Sequence, residues 1–239
     1  MCVPVIFNPS SSFTTRKSLP PALTRMTAPQ PIEFDSIPDA IEAFRAGEFL
    51  VVVDNEDREN EGDLIIAGSD LTPEKCAFLI RYTSGYICVS VEPERLAALN
   101  LPLMVERNTD ALRTAYTISV DYKHGTTTGI SAADRSATIR ALADYSKGPE
   151  DFNVPGHVLP LKPVPGGVLK RVGHTEAALD LAKLAGKSPV AALCEVVLDD
   201  GRMARRDDLK LFAKTWGLKM ITIADLVRYR KENNLGEDW

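Results

Sequence analysis

Apolar residues along this chain fall into two periods, and the two sort most of it into elements. In "DSIPDAIEAFRAG" (35–47), Ile37, Ile41 and Phe44 make a helical stripe behind a Ser36 cap, with Pro38 near the start and Gly47 closing it. "FLVVVD" (49–54) and "DLIIAG" (63–68) are continuous apolar runs of strand length on either side of a polar segment. "LTPEKCAFLIRYTSG" (71–85) predicts a helix capped by Thr72, with Pro73 in its first turn. "GYICVSVE" (85–92) and the alternating "TAYTISVDY" (114–122) predict strands. "SAADRSATIRALAD" (131–144) sets Ser131 and Asp134 at capping-box spacing ahead of a helix. "HTEAALDLAKLAG" (174–186) is a helix stopped by Gly186, and "PVAALCEVVLDDG" (189–201) an apolar strand ending in a turn. "DDLKLFAKTWG" (207–217) and "TIADLVRYRKEN" (222–233) are terminal helices.

Strands and helices alternate without strict βαβ regularity, which predicts an α+β or mixed α/β fold with helices packed on a mixed sheet. No linker, repeat or low-complexity tract interrupts residues 32–235, so they read as one domain. The first 31 residues differ: they hold no acid, are rich in Ser, Thr and Pro, and carry Arg16, Lys17 and Arg25. They read as a flexible tail, the alternative being an organelle transit peptide.

Composition narrows the class. A net charge of -5 argues against a nucleic-acid partner, which calls for a basic face. No apolar run approaches the ~18 residues of a membrane span. Cys2, Cys76, Cys88 and Cys194 lack C-x-x-C spacing and read as free thiols of a reducing, cytoplasmic compartment.

The candidate chemistry begins in the segment between the first two strands. Asp54, Glu56, Asp57, Glu59, Glu61 and Asp63 lie within ten positions, with Arg58 the only cation among them. Six neighbouring carboxylates repel unless a cation intervenes, and hard oxygen ligands suit magnesium or manganese; the plain alternative is a solvated turn. "KRVGHTEA" places Lys170, Arg171, Val172, Gly173, His174 and Thr175 at a helix start, where free N–H groups, Arg171 and the Thr175 hydroxyl suit a phosphate. An ordinary capped helix with a basic entry is the alternative, and the flexible Pro165-Gly166-Gly167 upstream favours the anion. Glu195 sits in a strand apolar on both faces, which suits it either to general acid–base work or to a buried salt bridge. His157 and His174 each stand in a Gly-marked turn, whereas His124, in a polar turn, reads as exposed.

Assembled, these residues resemble one family, the 3,4-dihydroxy-2-butanone-4-phosphate synthases of riboflavin biosynthesis. The resemblance rests on "DNEDRENEGDLIIAG", "RNTDALRTAYTISVD", "TTGISAADRSATIRALAD", "PGHVLPL", "PGGVLKRVGHTEAALDLAKLAG" and "CEVVLDDGRMARRDDLKLFAK", in order over about residues 33 to 230. It implies a lyase that converts D-ribulose 5-phosphate to L-3,4-dihydroxy-2-butanone 4-phosphate and formate with magnesium (manganese as substitute, one or two ions per site). It implies a three-layer α-β-α sandwich and a homodimer with active sites near the interface. Carried over, Glu59 and His174 are the metal ligands. Arg58, Glu59, Asp63 and Arg171 through Thr175 are substrate contacts, with Glu195. His157 and Glu195, acting as a pair, match positions essential for catalysis, while Glu61, Asp63, Asp54 and Thr128 belong to the site with less defined roles. Asn55 and Lys162 depart from the usual pattern, and the cysteine content lacks a fused cyclohydrolase zinc site, which implies a monofunctional chain. Rival readings are a metal-dependent sugar-phosphate isomerase or aldolase, and a non-catalytic cation- or phosphate-binding module.

Overall fold

The two apolar runs around the acidic segment become β1 (Leu50–Val53) and β2 (Gly62–Ala67), an antiparallel hairpin in which Val53 pairs with Gly62. Residues 54–61 therefore cross the end of the sheet as a loop. The structure is a computed structural model that describes residues 33–237, all within one compact unit, Ile32–Trp239. The leader 1–31, read above as a tail, lies outside the described residues.

Five more strands complete a mixed sheet: β3 (Cys88–Val91), β4 (Val120–Tyr122), β5 (Phe152–Leu161), β6 (Val190–Glu195) and β7 (Lys219–Thr222), in the order β4-β5-β3-β6-β2-β1-β7. The β1–β7 and β3–β5 pairs are parallel and the rest antiparallel. Because side chains alternate along a strand, each strand feeds two cores. Val51, Val53, Leu64, Ile66, Val89 and Cys194 face one helical layer, made by α2 (Pro73–Tyr82), α3 (Pro93–Ala98), α4 (Ala132–Ala143) and α6 (Arg206–Trp216). Leu50, Val52, Ile65, Cys88 and Leu193 face the other, made by α1 (Ile37–Arg45), α5 (His174–Leu184) and α7 (Ile223–Glu232). The result is the expected α-β-α sandwich around a mixed sheet. Each fully buried Leu, Ile or Val contributes about 1.5–3 kcal/mol.

The helix starts follow their caps. The side chains of Ser36, Thr72 and Ser131 accept from the backbone N–H groups of Asp39, Lys75 and Asp134. Arg230, 1% exposed, donates to Asp180 at 2.7 Å, to the Gly166 carbonyl at 2.9 Å and to the Gly236 carbonyl at 2.6 Å. Asp180 also accepts the Val168 N–H, so this pair fastens the turn that precedes α5.

Some elements differ from the pattern reading. His157 lies on β5, not in a turn. Asp121 pairs with Asn153 while its neighbour Val120 pairs with Val158, so residues 154–157, including Pro155 and Gly156, bulge out of the ladder. A Cβ on Gly156 would stand 2.1 Å from the Val120 carbonyl carbon. The strand predicted over 114–122 is regular only in β4, with isolated bridges at Tyr116 and Thr117. Helix α3 and strand β7 are short and were not anticipated.

Candidate active site

The acidic loop is organised by its first carboxylate. Asp54 is 1% exposed; its Oδ1 accepts the Glu61 N–H at 3.0 Å, and its Oδ2 accepts the Glu59 N–H and Arg58 Nη1, each at 3.0 Å. Both oxygens are thus spent on shaping the loop. Arg58 also donates to Glu59. Burial works to lower Arg58, but Glu59 and Asp54 hold it above its ordinary value.

The loop brings Glu59 to His174, 115 positions later, with Oε2 3.3 Å from Nδ1. On the other side of the ring, Nε2 lies 3.1 Å from the Val52 carbonyl, which can only accept, so Nε2 carries a proton. Nδ1 therefore faces a carboxylate with two choices: to be protonated as well, or to share a cation with it. The electrostatics agree. Burial works to lower His174, but Asp63, the Glu59 hydrogen bond and Asp54 outweigh it and push the imidazole up to about 9. Burial likewise works to raise Glu59, and the His174 hydrogen bond and Arg58 pull it below its usual range.

Strand register supplies two more carboxylates. Asp63 on β2 stands opposite Glu195 on β6. Burial pushes Asp63 up to about 8, with Glu195 adding and His174 opposing; its Oδ1 has no hydrogen-bond partner and lies 3.9 Å from His174 Nε2. Glu61 is raised by burial, then by Glu195 and Glu59. Glu195 is half-buried, and its partner is a hydroxyl where an arginine was the alternative. Ser84 donates to its Oε2 at 2.7 Å, and the Ser84 N–H donates to its backbone carbonyl at 2.8 Å.

These groups open into a small cleft that Arg171 and the first turn of α5 also line. Gly173 is the cap, extended and without a side-chain bond, so the first amides of the helix stay available. Arg171 is aimed by Glu176, which is 1% exposed: Nη1 donates to Oε2 at 2.6 Å, and Nη2 to the Leu112 carbonyl at 3.2 Å. A Cβ on Gly173 would stand 2.4 Å from Arg171 Nη1, so a side chain there would push the guanidinium out of this position.

Of the residues expected at the site, Arg58, Glu59, Asp63, Arg171, His174, Thr175 and Glu195 line this one cavity. Asp54, Glu61 and Gly173 border it from behind. Val172 and Thr128 point to solvent. His157, expected to act with Glu195 at an active site near a dimer interface, is not among the residues that line this cleft. Its Nδ1 lies 2.6 Å from Asp121 Oδ2, and its N–H donates to Asp121 Oδ1 at 2.8 Å. Gly129, at φ +94°, closes on that pair, where a Cβ would stand 2.0 Å from Asp121 Oδ2. Sequence reasoning missed Ser84, Asp121 and Glu176. The alternating polarity of "TISVDY" marked Asp121, and "HTEA" carried Glu176 in its first turn, whereas nothing marked Ser84.

The donor set fits a hard divalent cation: Glu59, His174 and Asp54 offer atoms within 4.8 Å of one another, and the unpartnered Asp63 oxygen faces the same ring. Since Asp54 is committed to backbone amides, Glu59 and His174 are the free pair.

Known proteins bear on this geometry. The family model described as 3,4-dihydroxy-2-butanone 4-phosphate synthase matches residues 38–229. A 3,4-dihydroxy-2-butanone 4-phosphate synthase of Agrobacterium fabrum is 57% identical over 82% of this chain and 92% of its own length. A bifunctional riboflavin biosynthesis protein of Arabidopsis thaliana, chloroplastic, is 56% identical over 84% of this chain, which spans only 37% of that relative. A crystal structure of a 3,4-dihydroxy-2-butanone 4-phosphate synthase in complex with two magnesium ions superposes with a TM-score of 0.82 at 48% identity, covering 84% of this chain and 99% of that one.

Proposed function

The chain belongs to the 3,4-dihydroxy-2-butanone 4-phosphate synthase family, lyases of riboflavin biosynthesis, and on that premise we propose that it converts D-ribulose 5-phosphate to L-3,4-dihydroxy-2-butanone 4-phosphate and formate. The observation that carries this reading is the meeting of Glu59 and His174 at 3.3 Å in a cleft that Arg171 and Thr175 also line. Glu59 and His174 suit a cation, and beside them Arg171 with the first amides of α5 suit a phosphate, which is what a phosphorylated ketose needs.

In this reading the substrate phosphate sits on the first amides of α5, with Arg171 and the Thr175 hydroxyl as added donors. That anchor fixes the reach to the reacting carbons. Glu59 and His174 would hold magnesium, or manganese, with Asp63 beside them, for one ion or two. When bound, the ion supplies Lewis-acid polarisation of the substrate carbonyl and offsets the charge that develops as C3 loses its proton. Asp63 and Glu195, the latter held by Ser84, stand side by side on paired strands and pass protons to and from the sugar. Loss of water, migration of the phosphate-bearing carbon unit and re-addition of a water that carries C4 off as formate complete a reaction whose atoms balance between one substrate and two products.

His157 enters from a second copy. Asp121 orients the ring through Nδ1, and the imidazole is 42% exposed. Around it, Ile130 and Val154 are half exposed, and Tyr86, which packs on Tyr116 of the cavity wall, is 52% exposed. A homodimer sharing this face would bring one copy's His157 to its partner's cavity.

Cys76, Cys88 and Cys194 are buried and free, in keeping with a reducing compartment. Among the described residues no helix is long and apolar enough to cross a membrane. The chloroplastic relative gives the transit-peptide reading of residues 1–31 its own support, and a reporter fused to them decides between targeting and a cytoplasmic tail. The test of the activity is incubation with D-ribulose 5-phosphate, with and without magnesium. Magnesium-dependent formate release is expected, and its absence with the metal present would overturn the assignment.

A further inference from the structure

The acidic loop is gripped by two consecutive arginines from a segment roughly 150 positions away. Arg205 Nη1 donates to the Glu59 carbonyl at 3.0 Å and also to the Asn60 carbonyl. Arg206 Nη2 donates to the Asp54 carbonyl at 3.1 Å, and its Nη1 pairs with Glu56 at 3.3 Å. Both ends of the loop are therefore tied to the first turn of α6. The base of the grip is stiff: the Arg205 N–H donates to Asp208 at 3.0 Å, and the Arg206 guanidinium lies 5.9 Å from the Phe34 ring centre. The hairpin is pressed against the same helix, since a Cβ on Gly62 would stand 2.4 Å from Leu209 Cδ1.

The choice of acceptor is informative. An arginine placed only to quench the loop's charge would seek the carboxylates, Glu59 above all. Their hydrogen bonds go to main-chain carbonyls, with Glu61 3.9 Å from Arg205 and Glu56 3.3 Å from Arg206 as ion pairs, and Asn60 beside them adopts the left-handed conformation, φ +53°. The Glu59 carboxylate is left facing His174. We propose that Arg205 and Arg206 are positioning residues: they hold the loop backbone in the form that presents Glu59 to a divalent ion. This rests on the reading of Glu59 and His174 as metal ligands.

Two accounts of these arginines give opposite signs. As mere cations they repel a divalent ion, and their removal tightens its binding. As a backbone clamp they preorganise the ligand, and their removal weakens it. The experiment is calorimetric titration of the full chain with magnesium alone, for the wild type, Arg205→Gln, Arg206→Gln and the double variant, with limited proteolysis of the loop in parallel. Wild-type binding is required first, and its failure counts against the metal reading itself. Given that binding, roughly tenfold weaker magnesium affinity in each single variant, with faster loop cleavage and unchanged circular dichroism, is the expected result. High magnesium should also restore formate release in the variants. Affinity that is unchanged or tighter would overturn the clamp. Should the double variant fail to fold, the two single variants carry the test.

Discussion

Two carboxylate-centred arrangements occur in this molecule, and they are held in different ways. In the β1–β2 loop, Asp54 is enclosed and collects two backbone amides and one guanidinium, so the loop is complete within its own chain. In the β4–β5 bulge, Asp121 holds His157, the imidazole is 42% exposed, and it does not line the cleft of its own chain. The enclosed carboxylate has its partners within its own chain, whereas the open one leaves an exposed imidazole, which suits the dimeric reading proposed above. A residue's distance from the cavity of its own chain therefore says little about its role once two copies meet.

Three perturbations sharpen this contrast. The largest effect is expected from mixing inactive variants. Glu59→Gln and His157→Asn should each reduce formate release by at least about a thousandfold as pure proteins. Co-refolded in equal amounts, they should regain about a quarter of wild-type activity if cavity and histidine come from different copies, by random pairing in a two-fold dimer. No recovery would place both roles in one chain. Next, Asp54→Asn removes one of the two oxygens that template the loop. It should cost about 1–3 kcal/mol of stability in urea unfolding and weaken magnesium binding, with the β hairpin retained. A variant with wild-type stability would show that the loop needs no such template. The smallest effect is a slope with pH. His174 folds with its pKa raised to about 9 and Asp63 with its pKa raised to about 8, so the folded, metal-free protein holds protons that the unfolded chain releases. Both contributions are present at low pH. Asp63's is lost progressively from its unfolded value near 4 up to about 8, and His174's from near 6.5 up to about 9. The melting temperature without metal should fall by a few degrees between pH 6 and 9, and magnesium, which displaces those protons, should restore more at pH 9 than at pH 6. A metal-free melting temperature that rises with pH would contradict the burial argument for this pair.

How much of this was legible from residues alone varied with the physics involved. Strands such as "LVVV" and helices announced by Ser36, Thr72 and Ser131 were readable because local pattern and caps agree with the global fold. The meeting of Glu59 with His174 was readable too, since six carboxylates and a Gly-His-Thr corner are unusual compositions. Pro155 and Gly156 hid β5, because a bulge uses the same residues as a turn and only the pairing with β3 and β4 tells them apart. Tertiary partners left little trace. Ser84 is an ordinary loop serine until β6 lies beside it, and Arg205 and Arg206 look like a solvated entry to α6 until the hairpin folds against them.

The register that sets Asp63 against Glu195 has a consequence of its own. The interval between these two acids is dictated by main-chain pairing in mid-sheet, so side-chain exchange can alter their chemistry but hardly their separation. Slipping either strand by one residue would turn its acid into the opposite core and bring Leu64 or Cys194 into its place. The spacing of this part of the catalyst is thus inherited from the weave of the sheet, and it can drift only if the fold itself is re-threaded.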